Sequence, residues 1–128
     1  MSKKLKILVV EDDSTSSYIL CVYLNTLGYE ICGEARSGEE AINIARNEYP
    51  NTVIMDINLE GAMNGIEAAK KIIEIYPDIS IIFASSNTEQ NIFQRAIQLN
   101  PITFIVKPVD PITLKNVLKE VDKNYRSD

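Results

Sequence analysis

The sequence predicts an α/β domain: a parallel sheet with helices on both faces. Short apolar runs rich in β-branched residues alternate five times with segments of helical periodicity. Each apolar run ends in polar or turn-forming residues rather than continuing as a helix. No repeat, low-complexity stretch or linker breaks the alternation, so the 128 residues are expected to form one domain, 1–128, with a core of about 5–124.

The elements follow in order. Leu5 to Val10 reads as a buried strand, halted by Glu11-Asp12-Asp13. Asp13 or Ser14 can cap a helix to about Leu27, with Ile19, Val22, Tyr23 and Leu27 near one face and Gly28 as its stop. Tyr29 to Ala35 reads as a second strand, at a sheet edge because polar residues interrupt it. Ser37-Gly38-Glu39-Glu40 opens a helix with Ala41, Ile42, Ile44 and Ala45 on its apolar face, closed by Pro50. Thr52 to Asp56 is the third strand. Gly65 to Tyr76 is the third helix, with Ile66, Ala69, Ile72 and Ile73 at helical spacing and Pro77 after it. Ile79 to Ala84 is the fourth strand, ending in Ser85-Ser86-Asn87, and Thr88 to Leu99 the fourth helix. Ile102 to Val106 is the fifth strand, ending at Lys107-Pro108. Asp110-Pro111 begins a last helix to about Asn124, striped by Leu114, Val117, Leu118 and Val121; Pro111 suits its first turn.

Composition narrows the function. At 45% hydrophobic and 24% charged residues the chain has the balance of a soluble globular protein. A net charge of -5 argues against a nucleic-acid-binding face, which needs a basic patch. The chain has no His, which excludes histidine zinc sites, histidine general bases and Ser-His-Asp triads. Cys21 and Cys32 sit inside periodic apolar segments, as reduced thiols do. No apolar run approaches the ~20 residues of a membrane span, and Ile7 to Val10 is too short for a secretory leader. A cytoplasmic protein is expected.

The chemistry lies at the strand ends. In a parallel sheet the carboxyl ends share one edge, where open α/β sheets bind ligands. Strand one delivers Glu11 and Asp12 to that edge, strand three Asp56, strand four Ser85 and strand five Lys107. Any one of these has a plain structural explanation: an acidic capping turn, a strand-end Asp, a loop hydroxyl, a solvated Lys. Their coincidence at successive strand ends does not. Two unit charges ~4 Å apart repel by about 4 kcal/mol at an effective dielectric of ~20. Crowded carboxylates therefore take up a cation or a proton, and hard oxygen donors point to Mg²⁺. Asp56 as in-line nucleophile, with the ion and Lys107 neutralising the phosphoryl oxygens, suits phosphoryl transfer.

With these residues in place the chain resembles, over essentially its whole length, the receiver domain of two-component response regulators. Val9-Val10-Glu11-Asp12 resembles that family's acidic pair, Met55-Asp56-Ile57 its phosphoacceptor segment, and Lys107-Pro108 its Lys-Pro pair. The resemblance implies a flavodoxin-like, doubly wound (βα)5 fold of strand order 2-1-3-4-5. It implies that Asp56 takes a phosphoryl group from a phosphohistidine on a histidine kinase or phosphotransfer protein. Asp12 would bind Mg²⁺ directly, Glu11 through water, Asp56 as a further ligand, and Asn58 through its backbone carbonyl. Ser85 would be the switch hydroxyl, Phe104 the switch aromatic, and Asn87 a position that tunes dephosphorylation. It also implies a cis Lys107-Pro108 peptide and an output surface on the fourth helix, fifth strand and fifth helix, which could also serve a homodimer. Direct nucleic-acid or membrane binding is not implied, nor is turnover as an enzyme. Leu59-Glu60-Gly61-Ala62-Met63-Asn64-Gly65 has one residue more than the commonest family loop and resembles a subgroup found in stand-alone regulators and sensor-kinase arrays.

Three rival readings fit the residues less well. A phosphorylation-independent receiver-like module would typically have lost an acid, Ser85 or Lys107. A haloacid-dehalogenase-type phosphohydrolase resembles an Asp-x-Asp pattern, where this chain has Asn58 and no room for a cap domain. A flavodoxin carries a Ser/Thr/Gly-rich phosphate loop after strand one, where this chain has acids.

Overall fold

A computed structural model describes residues 5–86 and 89–126. Five strands, β1 (Lys6–Val10), β2 (Glu30–Ala35), β3 (Thr52–Asp56), β4 (Ser80–Ser85) and β5 (Thr103–Val106), alternate with five helices. The helices are α1 (Ser14–Leu27), α2 (Gly38–Glu48), α3 (Gly65–Ile75), α4 (Gln90–Ile97) and α5 (Pro111–Arg126). The strands form one parallel sheet in the order β2-β1-β3-β4-β5, as expected. β3 keeps the expected bounds, and the other strands shift by one residue at one or both ends. The predicted helix start at Thr88 lies outside the described residues.

Side-chain alternation divides the core. Leu8, Val10, Val53, Met55, Ile81 and Phe83 point to one face, covered by α2 and α3 and by Ala96 of α4. Ile7, Val9, Ile54, Ile82 and Ile105 point to the other, covered by α1 and α5. Both faces are buried, so the strands read as continuous apolar runs.

Local signals set the helix ends. Asp13 caps α1 by accepting from the Ser16 hydroxyl and N–H, which hold its carboxyl below the usual range. Gly28 closes α1 in the left-handed region at φ 87°. Ser37 caps α2, and Asn64 with Glu67 forms a reciprocal capping box on α3. By contrast α4 has no side-chain cap hydrogen bond and buries only Ala96.

The face of α1 differs from the expected one. Its buried stripe is Ser17, Leu20, Cys21 and Leu24, while Ile19 and Val22 are exposed. Tyr23 and Leu27 pack only partly. Residues 18–24 are all apolar, so the sequence carries no phase to choose a face. At the β2 edge, Cys32 is the extra residue of a bulge between the Ile7–Ile31 and Leu8–Gly33 pairings. A Cβ on Gly33 would stand 2.7 Å from Ile44 Cγ2, so this glycine admits α2 onto the edge strand. Cys21 and Cys32 belong to opposite core faces, and burial raises both thiols, Cys21 to about 11.

Candidate phosphoacceptor site

The strand alternation that builds the core also builds the site. Glu11, Asp56 and Lys107 stand two residues beyond Val9, Ile54 and Ile105, which all face α1 and α5. They therefore converge on that side of the carboxyl edge. Ser85 and Phe104 continue the opposite parity, toward the α4 side.

Asp56 is the last residue of β3 and is 5% exposed. Its Oδ1 accepts from the Asn58 N–H at 3.0 Å, and its Oδ2 lies 3.2 Å from Lys107 Nζ. The same ammonium donates to Glu11 Oε1. Glu11 is buried, anchored by its N–H to Ala35 O at 2.9 Å, and its Oε2 accepts from the Asp13 N–H at 3.1 Å. Asp12 is half-buried; its Oδ2 accepts from the Glu60 N–H at 3.2 Å, tying it to the β3–α3 loop. One carboxylate oxygen each from Glu11, Asp12 and Asp56 lies within 4.8 Å of the others.

These charges perturb one another. Burial pushes the Glu11 carboxyl up to about 7; the Lys107 hydrogen bond pulls it down, and Asp56 adds to the rise. Burial pulls Lys107 down, but its hydrogen bond to Glu11 and the charge of Asp56 outweigh that and hold the ammonium above its ordinary range. One ammonium faces three carboxylates, which leaves an excess of negative charge. The donors are all hard oxygens, with no imidazole or thiolate among them, a set that fits Mg²⁺.

The predicted residues divide by position. Glu11, Asp12, Asp56 and Lys107 are brought together directly. Ser85 is fully buried, and its Oγ accepts from Asn58 Nδ2 at 2.9 Å; its carbonyl accepts from the Lys107 N–H at 2.9 Å. Phe104 is half-buried and meets Phe93 of α4 at 5.3 Å between ring centroids. The Lys107-Pro108 peptide is cis, as the resemblance implied. Asn87 lies outside the described residues.

Sequence reasoning missed three features. The Asn58 side chain bridges the β3–α3 loop to Ser85, whereas the resemblance implied a role only for its carbonyl. Ser86 lines a cavity of about 360 Å³ that opens beside Asp56 and Lys107 between α1 and Pro108; the Ser85-Ser86 pair at a strand end was its only signal. Gly65 presses α3 onto the end of β3: a Cβ there would stand 2.0 Å from Asp56 O and 2.7 Å from Ile57 Cα.

Comparison with known proteins agrees with this geometry. The chain is 36% identical over 118 residues to the chemotaxis protein CheY of Thermotoga maritima, covering 92% of this chain and 98% of that protein. The signal receiver domain of a modulated diguanylate cyclase from Desulfovibrio desulfuricans superposes with TM-score 0.87 at 32% identity, covering 95% of this chain and 96% of that one. CheY in the CheX-CheY-BeF3-Mg complex of Borrelia burgdorferi superposes with TM-score 0.85 at 26% identity, covering 91% and 88%. Residues 7–119 match the response regulator receiver domain, and the chain belongs to that family.

Proposed function

We propose that Asp56 is the phosphoacceptor and that the chain is a phosphorylation-driven switch of a two-component system. The observation that carries this reading is the convergence of Glu11, Asp12 and Asp56 on one edge with Lys107 among them. An Asp56 oxygen attacks the phosphorus of a phosphohistidine; the P–N bond breaks and its electron pair stays on the imidazole. Lys107, 3.2 Å from Asp56 Oδ2, holds a phosphoryl oxygen. Asp12, Asp56 and the Asn58 carbonyl would hold Mg²⁺, with Glu11 acting through water. When bound, the ion neutralises charge on the transferring phosphoryl group.

The modified Asp56 gains roughly -1.5 to -2 charge, by analogy with other phosphorylated side chains. Ser85 and Lys107 bind the new oxygens only in that state, and this differential interaction shifts a two-state equilibrium. Phe104, whose ring meets that of Phe93 at a 59° tilt, carries the change to α4. Phe93, Ile97, Ile102, Val106 and Ile112 are exposed on α4, the loop after it, β5 and α5, a surface suited to a downstream protein or a second copy. CheX on CheY in the Borrelia complex is a precedent for such a partner. No described helix is long and apolar enough to cross a membrane. The chain is a switch rather than a turnover enzyme, and Asn87 tunes the loss of its phosphoryl group.

Intact-mass measurement after incubation with acetyl phosphate tests this. A gain of one phosphoryl group is expected for the wild type with Mg²⁺, and none without Mg²⁺ or for Asp56→Asn. Equal labelling of Asp56→Asn would overturn the assignment.

A further inference from the structure

We propose that the Asn58 side chain is a latch on Ser85: it holds the switch hydroxyl in the resting protein and opposes phosphorylation. The proposal rests on the reading of Asp56 as phosphoacceptor and assigns a residue that sets how readily the site switches.

Two bonds place Asn58 for this role. Its main-chain N–H donates to Asp56 Oδ1 at 3.0 Å, fixing residue 58 against the acceptor carboxylate. Its side-chain Nδ2 donates across 27 residues to Ser85 Oγ at 2.9 Å. The strands beneath hold both ends still. Asp56 pairs with Ala84 in the β3–β4 ladder, the Ile57 N–H donates to Ala84 O at 3.1 Å, and Ser85 is fully buried.

The bond restrains the Ser85 side chain. A Ser has no β-methyl, so its rotamer is less confined than that of a Thr. Asn58 is exposed, so water takes over much of the bond's strength when its amide is released. The bond therefore does more to orient Ser85 than to stabilise the fold. Phosphorylation puts acceptor oxygens on Asp56, beside the Oδ1 contact that positions Asn58. When Ser85 turns to donate to a phosphoryl oxygen, the resting bond from Asn58 is given up. A net hydrogen bond of this kind biases an equilibrium by roughly threefold to tenfold.

The test is a double-mutant cycle read by beryllofluoride, which stands in for the phosphoryl group on the acceptor carboxylate. Its affinity in Mg²⁺ is measured by calorimetry for wild type, Asn58→Ala, Ser85→Ala and the double variant. Asn58→Ala leaves the backbone carbonyl in place, and thermal melts verify that each variant is folded. The latch predicts that Asn58→Ala binds roughly threefold to tenfold tighter than wild type, and that the same change does nothing in the Ser85→Ala background. Unchanged or weaker binding by Asn58→Ala, or an equal gain in both backgrounds, overturns the latch while leaving the phosphoacceptor reading intact. No beryllofluoride binding by the wild type overturns both.

Discussion

Gly65→Ala separates what helix propensity predicts from what the structure predicts. Gly65 opens α3, and its φ is not in the left-handed region. Propensity alone makes Ala better there by up to about 1 kcal/mol, chiefly through a stiffer unfolded chain. The structure reverses the sign. The new Cβ would sit 2.0 Å from Asp56 O, 2.8 Å from Asp56 C and 2.7 Å from Ile57 Cα, all backbone atoms with no rotamer to escape into. A carbon normally approaches a carbonyl oxygen to about 3.3 Å, so α3 or the end of β3 must yield by roughly 1 Å. That movement strains the 2.9 Å Gly65 N–H to Ile57 O bond and the 3.1 Å Ile57 N–H to Ala84 O bond. Overpacking against backbone belongs at or beyond the upper end of the usual range of about 1–3 kcal/mol. Net destabilisation of about 2 kcal/mol follows, or a Tm lower by roughly 6–10 °C for a domain of this size. Urea unfolding with the m-value held in common reads it directly. Because Asp56 itself is displaced, phosphoryl uptake should fall as well. A Gly65→Ala variant as stable as the wild type, or more so, would refute the close approach.

Three further outcomes are expected. Lys107→Met removes the cation that competes for Glu11 and Asp56, so Mg²⁺ should bind more tightly in calorimetry. Uptake from acetyl phosphate should fall by roughly tenfold or more, since a charge-assisted contact contributes about 1.5–3 kcal/mol. Glu11, raised by burial to about 7, holds its proton more tightly in the folded than in the unfolded chain. Its contribution to the metal-free protein is therefore most favourable below its ordinary 4.5 and is lost as pH rises to about 7. Mg²⁺ needs the carboxylate, so its affinity and the Tm gain it confers should be greater at pH 8 than at pH 6; melts with and without Mg²⁺ at both values check this. Asn64→Ala breaks the capping box, in which Glu67 N–H donates to Asn64 Oδ1 at 2.9 Å and Asn64 N–H to Glu67 Oε1 at 3.0 Å. It should cost about 1 kcal/mol in urea unfolding without abolishing Mg²⁺ binding.

Much of the molecule was legible because its signals are local and periodic. Short β-branched runs, the cap at Asp13, the Ser37 opening of α2 and the Gly28 stop all act within a few residues of where they stand. The convergence of Glu11, Asp56 and Lys107 was legible for a different reason. Parallel topology gathers strand ends, and a period of two gives those three side chains one face. What escaped depends on phase or on distance. The face of α1 could not be chosen because residues 18–24 are uniformly apolar, and the sheet settled it in favour of Leu20, Cys21 and Leu24. The Asn58 to Ser85 bond joins residues 27 apart through loop geometry that no pattern encodes. Gly65 looked like an ordinary helix start, since nothing in the sequence places its α-carbon against the Asp56 carbonyl. The Glu11 to Lys107 ion pair spans 96 residues, and sequence reasoning gave both partners to the site without pairing them.

The central claim is that the phosphoryl group is carried by Asp56, and mapping its position tests that most directly. The protein is incubated with acetyl phosphate and Mg²⁺, reduced with borohydride to convert an acyl phosphate to homoserine, digested and sequenced by mass spectrometry. Homoserine at position 56, absent when Mg²⁺ is withheld, is the predicted result. Homoserine at Asp12 or another Asp, or phosphoryl incorporation with position 56 unmodified, would contradict the account.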